Sequence, residues 1–364
     1  MKNTIKRTLA LLLALLMTLS LVACGGEGGN GGGGKKISLT EVGEVSLHNQ
    51  WVAEYMADDA DRITRYGTGQ EERSCPKPVT LAWNGGAAPY TVKVGEKQDL
   101  SDAQTFTAEA ATLDVYNLKV GTTYYWSVTD SASAASDTGS FTTAADGPRT
   151  IKVDGVANVR DLGGWKTADG KTVNQGKIFR GGRLNVNSIE VVMPEILPTG
   201  LEAMAQLGIK TELDLRQADN NEIGSLTESL IKGAQYVNIP MIGELNKTRS
   251  LNDDEILQVF ALLGDEANYP VYVHCSIGTD RTGYVCYLVN ALVGVPYETL
   301  ERDYLLSNLG KIGGSRNIAR IKNDYIEHIN KFDGATLAEK TANYLLSLGV
   351  TQAQIDTVRK VMVG

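Results

Sequence analysis

The run HCSIGTDRTG, His274 to Gly283, sets a cysteine and an arginine on either side of five intervening residues. The apolar stretch Val271-Tyr272-Val273 ahead of it predicts a buried strand, and Tyr284 to Val295 behind it predicts an apolar helix. That layout makes a phosphate cradle with a nucleophile built in. Backbone N–H groups of Ser276, Ile277, Gly278, Thr279 and Asp280 can converge on an anion, and the helix brings the positive end of its dipole to the same point. The same field should hold Cys275 as a thiolate, because helix N-termini and neighbouring arginines lower a cysteine pKa from about 8.5 to roughly 3.5–7.5. A thiolate can attack phosphorus. The planar fork of Arg281 matches two phosphoryl oxygens and grips a trigonal transition state more closely than the ground state.

Other anion loops fit less well. A rhodanese-type sulfurtransferase loop is usually one residue shorter, and a nucleotide-binding P-loop needs Gly-Lys-Ser/Thr, which this run lacks. Phosphate-ester hydrolysis through a phosphocysteine also needs an acid for the leaving oxygen and a base for the water that follows. Two carboxylates compete for that work: Asp280, inside the loop beside Arg281, and Glu244, shortly after Val237-Asn238-Ile239-Pro240. Thr282 can hydrogen-bond the sulfur and ease its departure, or it is a helix N-terminal hydroxyl. His274 is read as orienting the loop through a backbone hydrogen bond. Arg180 could reach a second phosphate, and Asp214 with Arg216 could position substrate, although an ion pair at a strand end explains those two equally well. His48, His274 and His328 show no metal-ligand spacing, so no metal and no cofactor is expected.

These residues resemble the cysteine-dependent tyrosine phosphatase superfamily, and within it the secreted bacterial tyrosine/phosphoinositide phosphatases with an HCxxGxDRTG loop. Asn158-Val159-Arg160-Asp161-Leu162-Gly163-Gly164 is similar to that group's NxRDLGG opening, and Ile178-Phe179-Arg180-Gly181 to its yRSG segment. Leu213-Asp214-Leu215-Arg216 with Glu222 is similar to its DLR…E strand, and Asp303 to Asn308 to its DYLLSN helix. The resemblance implies that Asp280 is the acid; Glu244 has only the spacing of the mobile-loop aspartate of dual-specificity phosphatases. It implies a phosphorylated protein as substrate, most simply on tyrosine. The alternatives are a phosphoinositide or inositol phosphate, or a surface protein that merely binds phosphorylated ligands. Lipid-active members often carry loop lysines where this chain has Ser276 and Thr279, which weakens the lipid reading.

The positioning elements follow from pattern. Thr211 to Leu215 and Pro270 to His274 read as parallel strands. Leu201 to Leu207, Asp253 to Leu263 and Thr282 to Val295 read as helices, with further helical periodicity over Ser307 to Asn330 and Leu337 to Val363. An open, mainly parallel sheet flanked by helices is therefore expected over 147–364, with its ligand at the carboxyl ends of the strands. Over 37–146 short alternating strands such as Val79 to Trp83, Tyr90 to Val94 and Tyr124 to Val128 predict a β-sandwich. Leu118 to Val128 with Gly139 to Thr143 resembles the last strands of a fibronectin type III domain. Its partner cannot be read from fold, and a spacer is the plainest role. Trp51, Trp83 and Trp126 are expected in cores.

Lys2, Lys6 and Arg7 precede the apolar run Leu9 to Val22, and Leu21-Val22-Ala23-Cys24 closes it as a lipoprotein cleavage box. Residues 1–23 are expected to be a signal peptide, Cys24 the lipidated residue, and the glycine-rich 24–36 a flexible tether. That places the mature chain outside the cytoplasm on the outer face of a bacterial cytoplasmic membrane. The net charge of −8 argues against a nucleic-acid partner. Cys75, Cys275 and Cys286 form no disulfide framework, with Cys286 expected in the core and Cys75 either in a loop or exposed.

Overall fold

The computed structural model describes residues 36–185, 195–218, 222, 226–243 and 252–364. The signal and tether segments, Cys24 and Glu244 lie outside the described residues. Strand and helix propensities sort the rest into two kinds of layer.

The N-terminal strands are β1 (Ser38–Leu39), β2 (Glu44–Val45), β3 (Val79–Asn84), β4 (Tyr90–Gly95), β5 (Gln104–Ala108), β6 (Thr112–Val115), β7 (Thr123–Thr129) and β8 (Gly139–Thr143). They form one sheet in the order β1-β3-β6 and another in the order β2-β8-β7-β4-β5. Alternation places Val79, Leu81 and Trp83 of one sheet and Val92, Val94, Tyr124, Trp126 and Val128 of the other in a single apolar core. Trp83 and Trp126 are core residues as expected.

The expected β segment over 37–146 is interrupted. Gln50–Ala57 forms helix α1, capped by the Asn49 side chain accepting from the Val52 amide at 2.9 Å, and Ala60–Arg65 forms a 3-10 turn. Val52, Tyr55 and Ile63 are buried in the α/β core, not between the two β-sheets. The reason is periodicity: WVAEYMA places Val52 and Tyr55 three apart, on one helical face. Trp51 rides on this helix, half-buried, with the Arg73 guanidinium 4.3 Å above its ring. Lys36 to Gly364 is one compact unit.

The second sheet comprises β9 (Arg160–Asp161), β10 (Ile178–Gly181), β11 (Thr211–Asp214), β12 (Gln235–Asn238) and β13 (Val271–His274), in the order β12-β11-β13-β10-β9. All pairings are parallel except β9 with β10. Helices α2 (Pro198–Gln206), α3 (Asp253–Leu263), α4 (Arg281–Leu292), α5 (Tyr297–Leu306), α6 (Leu337–Ser347) and α7 (Gln352–Val363) accompany it. Every residue of α4 is buried, which accounts for its lack of a polar face. The long periodic stretch at the C-terminus splits into α6 and α7 because Thr336 with Glu339 and Thr351 with Gln354 each form a capping box. Register sets Gly181 of β10 and Asp214 of β11 level with His274 of β13, so three parallel strands end together. The Cys275 loop starts at that edge, from the middle strand.

A chain truncated to residues 147–364 leaves the seats of Val52, Tyr55 and Ile63 open to water. Full burial of such side chains contributes about 1.5–3 kcal/mol each, so the truncated chain should melt well below one beginning at Lys36. Calorimetry of the two decides it; equal midpoints would show that these residues carry no part of the α/β core.

Candidate active site

Between β13 and α4 the backbone folds into a tight cup. Gly278 has φ +68°, and a Cβ there would lie 2.1 Å from the Gly181 carbonyl oxygen, so only glycine fits. The cup is held from outside by its own carbonyls. Asn158 Nδ2 donates to Ile277 O and Gly278 O, both at 3.2 Å, and Arg180 Nη2 donates to Gly278 O at 2.9 Å. With carbonyls drawn outward, the amides are left for the interior.

Those props are themselves anchored. Asp303 on α5 accepts from Arg180 Nη1 and Arg160 Nε, each at 2.9 Å, and Arg160 Nη1 donates to Asn158 Oδ1 at 2.5 Å. Burial pushes the Asp303 pKa up, but the two guanidinium charges outweigh it and hold the carboxyl ionised below its usual range. Arg180 is only 1% exposed, so it braces the cup and is not set to reach a second phosphate.

Of the two readings open for Asp214 and Arg216, the structure shows the ion pair. Both are fully buried and paired with each other, Arg216 Nη2 to Asp214 Oδ2 at 2.6 Å, with Tyr236 Oη donating to the same oxygen at 2.9 Å. Burial opposes the charge on Asp214, yet His274 and Arg216 pull its pKa down to about 2. They form a strand-end ion pair, not a substrate contact. His274 stands between Glu212, whose Oε1 is 3.0 Å from Nε2, and the Cys275 carbonyl, 3.2 Å from Nδ1. Burial lowers its pKa, but Asp214 and Glu212 raise it further, favouring a ring that donates on both sides. It orients the loop, as its place in the sequence suggested.

Inside the cup sits Cys275, 2% exposed. Burial alone would raise its thiol pKa, but the Arg281 charge, followed by the Thr282 hydroxyl and amide, turns the shift downward. The Thr282 hydroxyl is buried, and with its own amide it favours the thiolate form of Cys275. Arg281 is pre-set by Glu222, which accepts from Nη1 at 2.7 Å and Nη2 at 3.0 Å, while the Leu215 and Met241 carbonyls take further bonds from Nη1. Ser276 Oγ lies 3.5 Å from Nη2.

Asp280 points elsewhere than its loop neighbours. Its carboxylate accepts from Tyr304 Oη at 3.2 Å and lies 3.3 Å from Arg316 Nη2 and 3.4 Å from Arg320 Nε. It does not brace Arg281. Cys286 is buried on α4 with its thiol pushed up to about 11 by burial, and Cys75 is half-buried with its thiol at about 12 for the same reason. Sequence reasoning gave no role to Asp303, Asn158, Glu222 or Glu212. The first three lie inside motifs it had singled out, and Glu212 shares a strand with Asp214. Among the described residues no cluster of His, Cys, Asp and Glu could hold a metal ion.

The profile of the tyrosine phosphatase family matches residues 151–364, and the chain belongs to that family. A Cupriavidus necator protein carrying a tyrosine-protein phosphatase name is 25% identical over 187 residues, 45% of this chain and 65% of the relative. A tyrosine-protein phosphatase of Nostoc commune is 27% identical over 125 residues, 29% of this chain and 42% of the relative. The chain thus spans less than two thirds of either relative's length. Among solved structures, the core catalytic domain of the PP-IP phosphatase Siw14 from S. cerevisiae, in complex with citrate, aligns at 18% identity and a TM-score of 0.27, covering 48% of this chain and 93% of that one.

A thiol held below its ordinary value should be alkylated at a rate whose pH midpoint lies below that of a free cysteine. Replacing Arg281 with Met removes the largest stabilising charge and should move the midpoint upward. Iodoacetamide labelling of Cys275 followed by mass spectrometry reads it; an unchanged midpoint would dissociate Arg281 from the thiolate.

Proposed function

We propose that this protein is a phosphoric monoester hydrolase that works through a phosphocysteine, with phosphotyrosine in proteins as its substrate class. The observation that carries the reading is the Cys275 to Arg281 cup, in which a downward-shifted thiol and a pre-set guanidinium meet at the start of α4, in a loop whose carbonyls are bonded by Asn158 and Arg180. The Cys275 Sγ attacks phosphorus, the P–O bond to the leaving group breaks, and Asp280 gives that oxygen its proton. Water then attacks the phosphocysteine, its proton returns to Asp280, and the S–P bond breaks to release phosphate and the thiolate. Arg281 holds two equatorial oxygens throughout, and Thr282 stabilises the departing sulfur. Family membership and the names of both curated relatives support tyrosine. Ser276 and Thr279, standing where lipid-active relatives carry lysines, support it over a phosphoinositide.

We further propose that the chain is a lipoprotein anchored through Cys24 on the outer face of the membrane, with a fibronectin type III-like sandwich as spacer. The sandwich reading is supported by its three-stranded and five-stranded sheets over one core. Among the described residues no helix is long and apolar enough to cross a membrane. Cys24→Ala should move the protein from the detergent phase to the aqueous phase on partitioning; retention in detergent would refute the anchor.

Turnover of phosphotyrosine peptides and aryl phosphates tests the catalytic reading. Cys275→Ser should abolish hydrolysis while still binding the substrate, because a hydroxyl is a far weaker nucleophile in an intact cup. Appreciable turnover by that variant excludes the phosphocysteine. Asp280→Asn should slow esters with poor leaving groups much more than activated aryl esters. A uniform loss would remove Asp280 from proton transfer.

A further inference from the structure

Beside the nucleophile loop lies a cleft of about 440 Å³ that shares Asp280 with it. Its walls include Tyr304 from α5 and the arginines Arg316 and Arg320 from the chain that follows. This wall is built, not incidental. Asn308, fully buried, grips the Arg316 backbone from both sides: its Oδ1 accepts from the Arg316 amide at 2.6 Å, and its Nδ2 donates to the Arg316 carbonyl at 2.9 Å. Tyr325 Oη ties the Asp280 carbonyl to the same wall at 2.9 Å.

The Asp324 carboxylate lines the same cleft and, after Asp280, adds to the negative charge felt by Arg320, but the bonds to Asp280 leave both guanidinium groups only partly used. Their contacts to Asp280, at 3.3 and 3.4 Å, are long for charge-assisted hydrogen bonds, and all three side chains are 20–27% exposed. Each guanidinium carries five N–H donors. Arg316 spends one more on Gly314 O at 3.2 Å, so donors of both remain for a ligand in the cleft. Partly exposed ion pairs of this kind contribute little, so an incoming dianion can displace Asp280 from them cheaply.

We propose that Arg316 and Arg320 form a second-anion subsite that takes another phosphoryl group of the same substrate while the scissile one lies over Cys275. The inference rests on the hydrolase reading and narrows its substrate class to molecules bearing two phosphoryl groups. On the phosphotyrosine reading such a molecule is a peptide phosphorylated twice; a bisphosphorylated polyol is the other source of the same chemistry, which the test separates from it. Planar guanidinium forks suit phosphoryl oxygens bidentately. The incoming group takes over the guanidinium hydrogen bonds that Asp280 now accepts, which leaves the Asp280 carboxyl available to the leaving oxygen.

The test compares paired probes on the full chain: vicinal and ring-opposed inositol bisphosphates against an inositol monophosphate, and a peptide with adjacent phosphotyrosines against the same peptide phosphorylated once. In the unaltered protein the doubly phosphorylated member of at least one pair should have a KM lower by about tenfold or more, as expected for one charge-assisted contact. The pair that gains identifies the source. In Arg316→Ala/Arg320→Ala that ratio should collapse toward unity, and Arg316→Lys/Arg320→Lys should keep part of it, which also covers the chance that the alanine variant folds poorly. No preference in the unaltered protein, or a preference that survives the alanine pair, overturns the subsite. Should no ester be hydrolysed at all, the catalytic reading fails separately. Calorimetric binding of the same probes to the Cys275→Ser chain then still decides the subsite by the same ratio.

Discussion

One carboxylate carries the cup. Asp303 lies in the interior between two guanidinium groups, and through Arg180 and Arg160 it fixes both the Gly278 carbonyl and the Asn158 side chain. Taking one partner from a buried, hydrogen-bonded ion pair costs about 3–5 kcal/mol because a charge is stranded. A triad with two cations and one anion also leaves a net positive charge beneath the loop. That charge sits where a thiolate and a phosphate must be held, so the brace and the field come from the same residues.

A cup that must receive a dianion has its amides facing inward before any ligand arrives, and such a backbone repels itself unless its carbonyls are engaged elsewhere. Asn158, Arg180 and the glycine at 278 meet that requirement from three directions. Arg281 is treated likewise: Glu222 and two backbone carbonyls fix its plane, so little side-chain freedom remains to be lost when oxygen atoms replace water. On the opposite wall the rule is relaxed, and Asp280 keeps exchangeable partners.

The Cys275 to Arg281 loop and the strand and helix on either side of it were legible from one short motif between two apolar runs. The α/β sheet was legible from alternating periods. For Arg180, Asp214 and Arg216 the sequence left a substrate contact open because type and motif say nothing of depth: a charged residue at a strand end reads alike whether it faces the ligand or the interior. Asp214 and Arg216 lie two apart on a short stretch, which allowed the ion pair they form. The orientation of Asp280 depends on Tyr304, Arg316 and Arg320, between 24 and 40 residues downstream, and no local pattern announces such a meeting. Helix α1 was hidden because a short helix among strand signals is outweighed by the composition around it.

The route of the N-terminal segment has a mechanical meaning. The chain leaves the N-terminal sheets after Val45 to bury Val52 and Tyr55 against the α/β core. It returns through residues whose amides bond Asn308 and Leu309 carbonyls, and crosses again after Thr143, where Arg149 Nη1 pairs with Asp161 at 2.9 Å. A single linker makes a hinge; three crossings make a clasp. A pull applied at Lys36 is therefore shared between both halves, with Glu72, whose Oε2 accepts from the Asn158 amide at 3.1 Å, standing one bond from a prop of the nucleophile loop. Lys36 and the floor of the cup thus belong to one continuous load path.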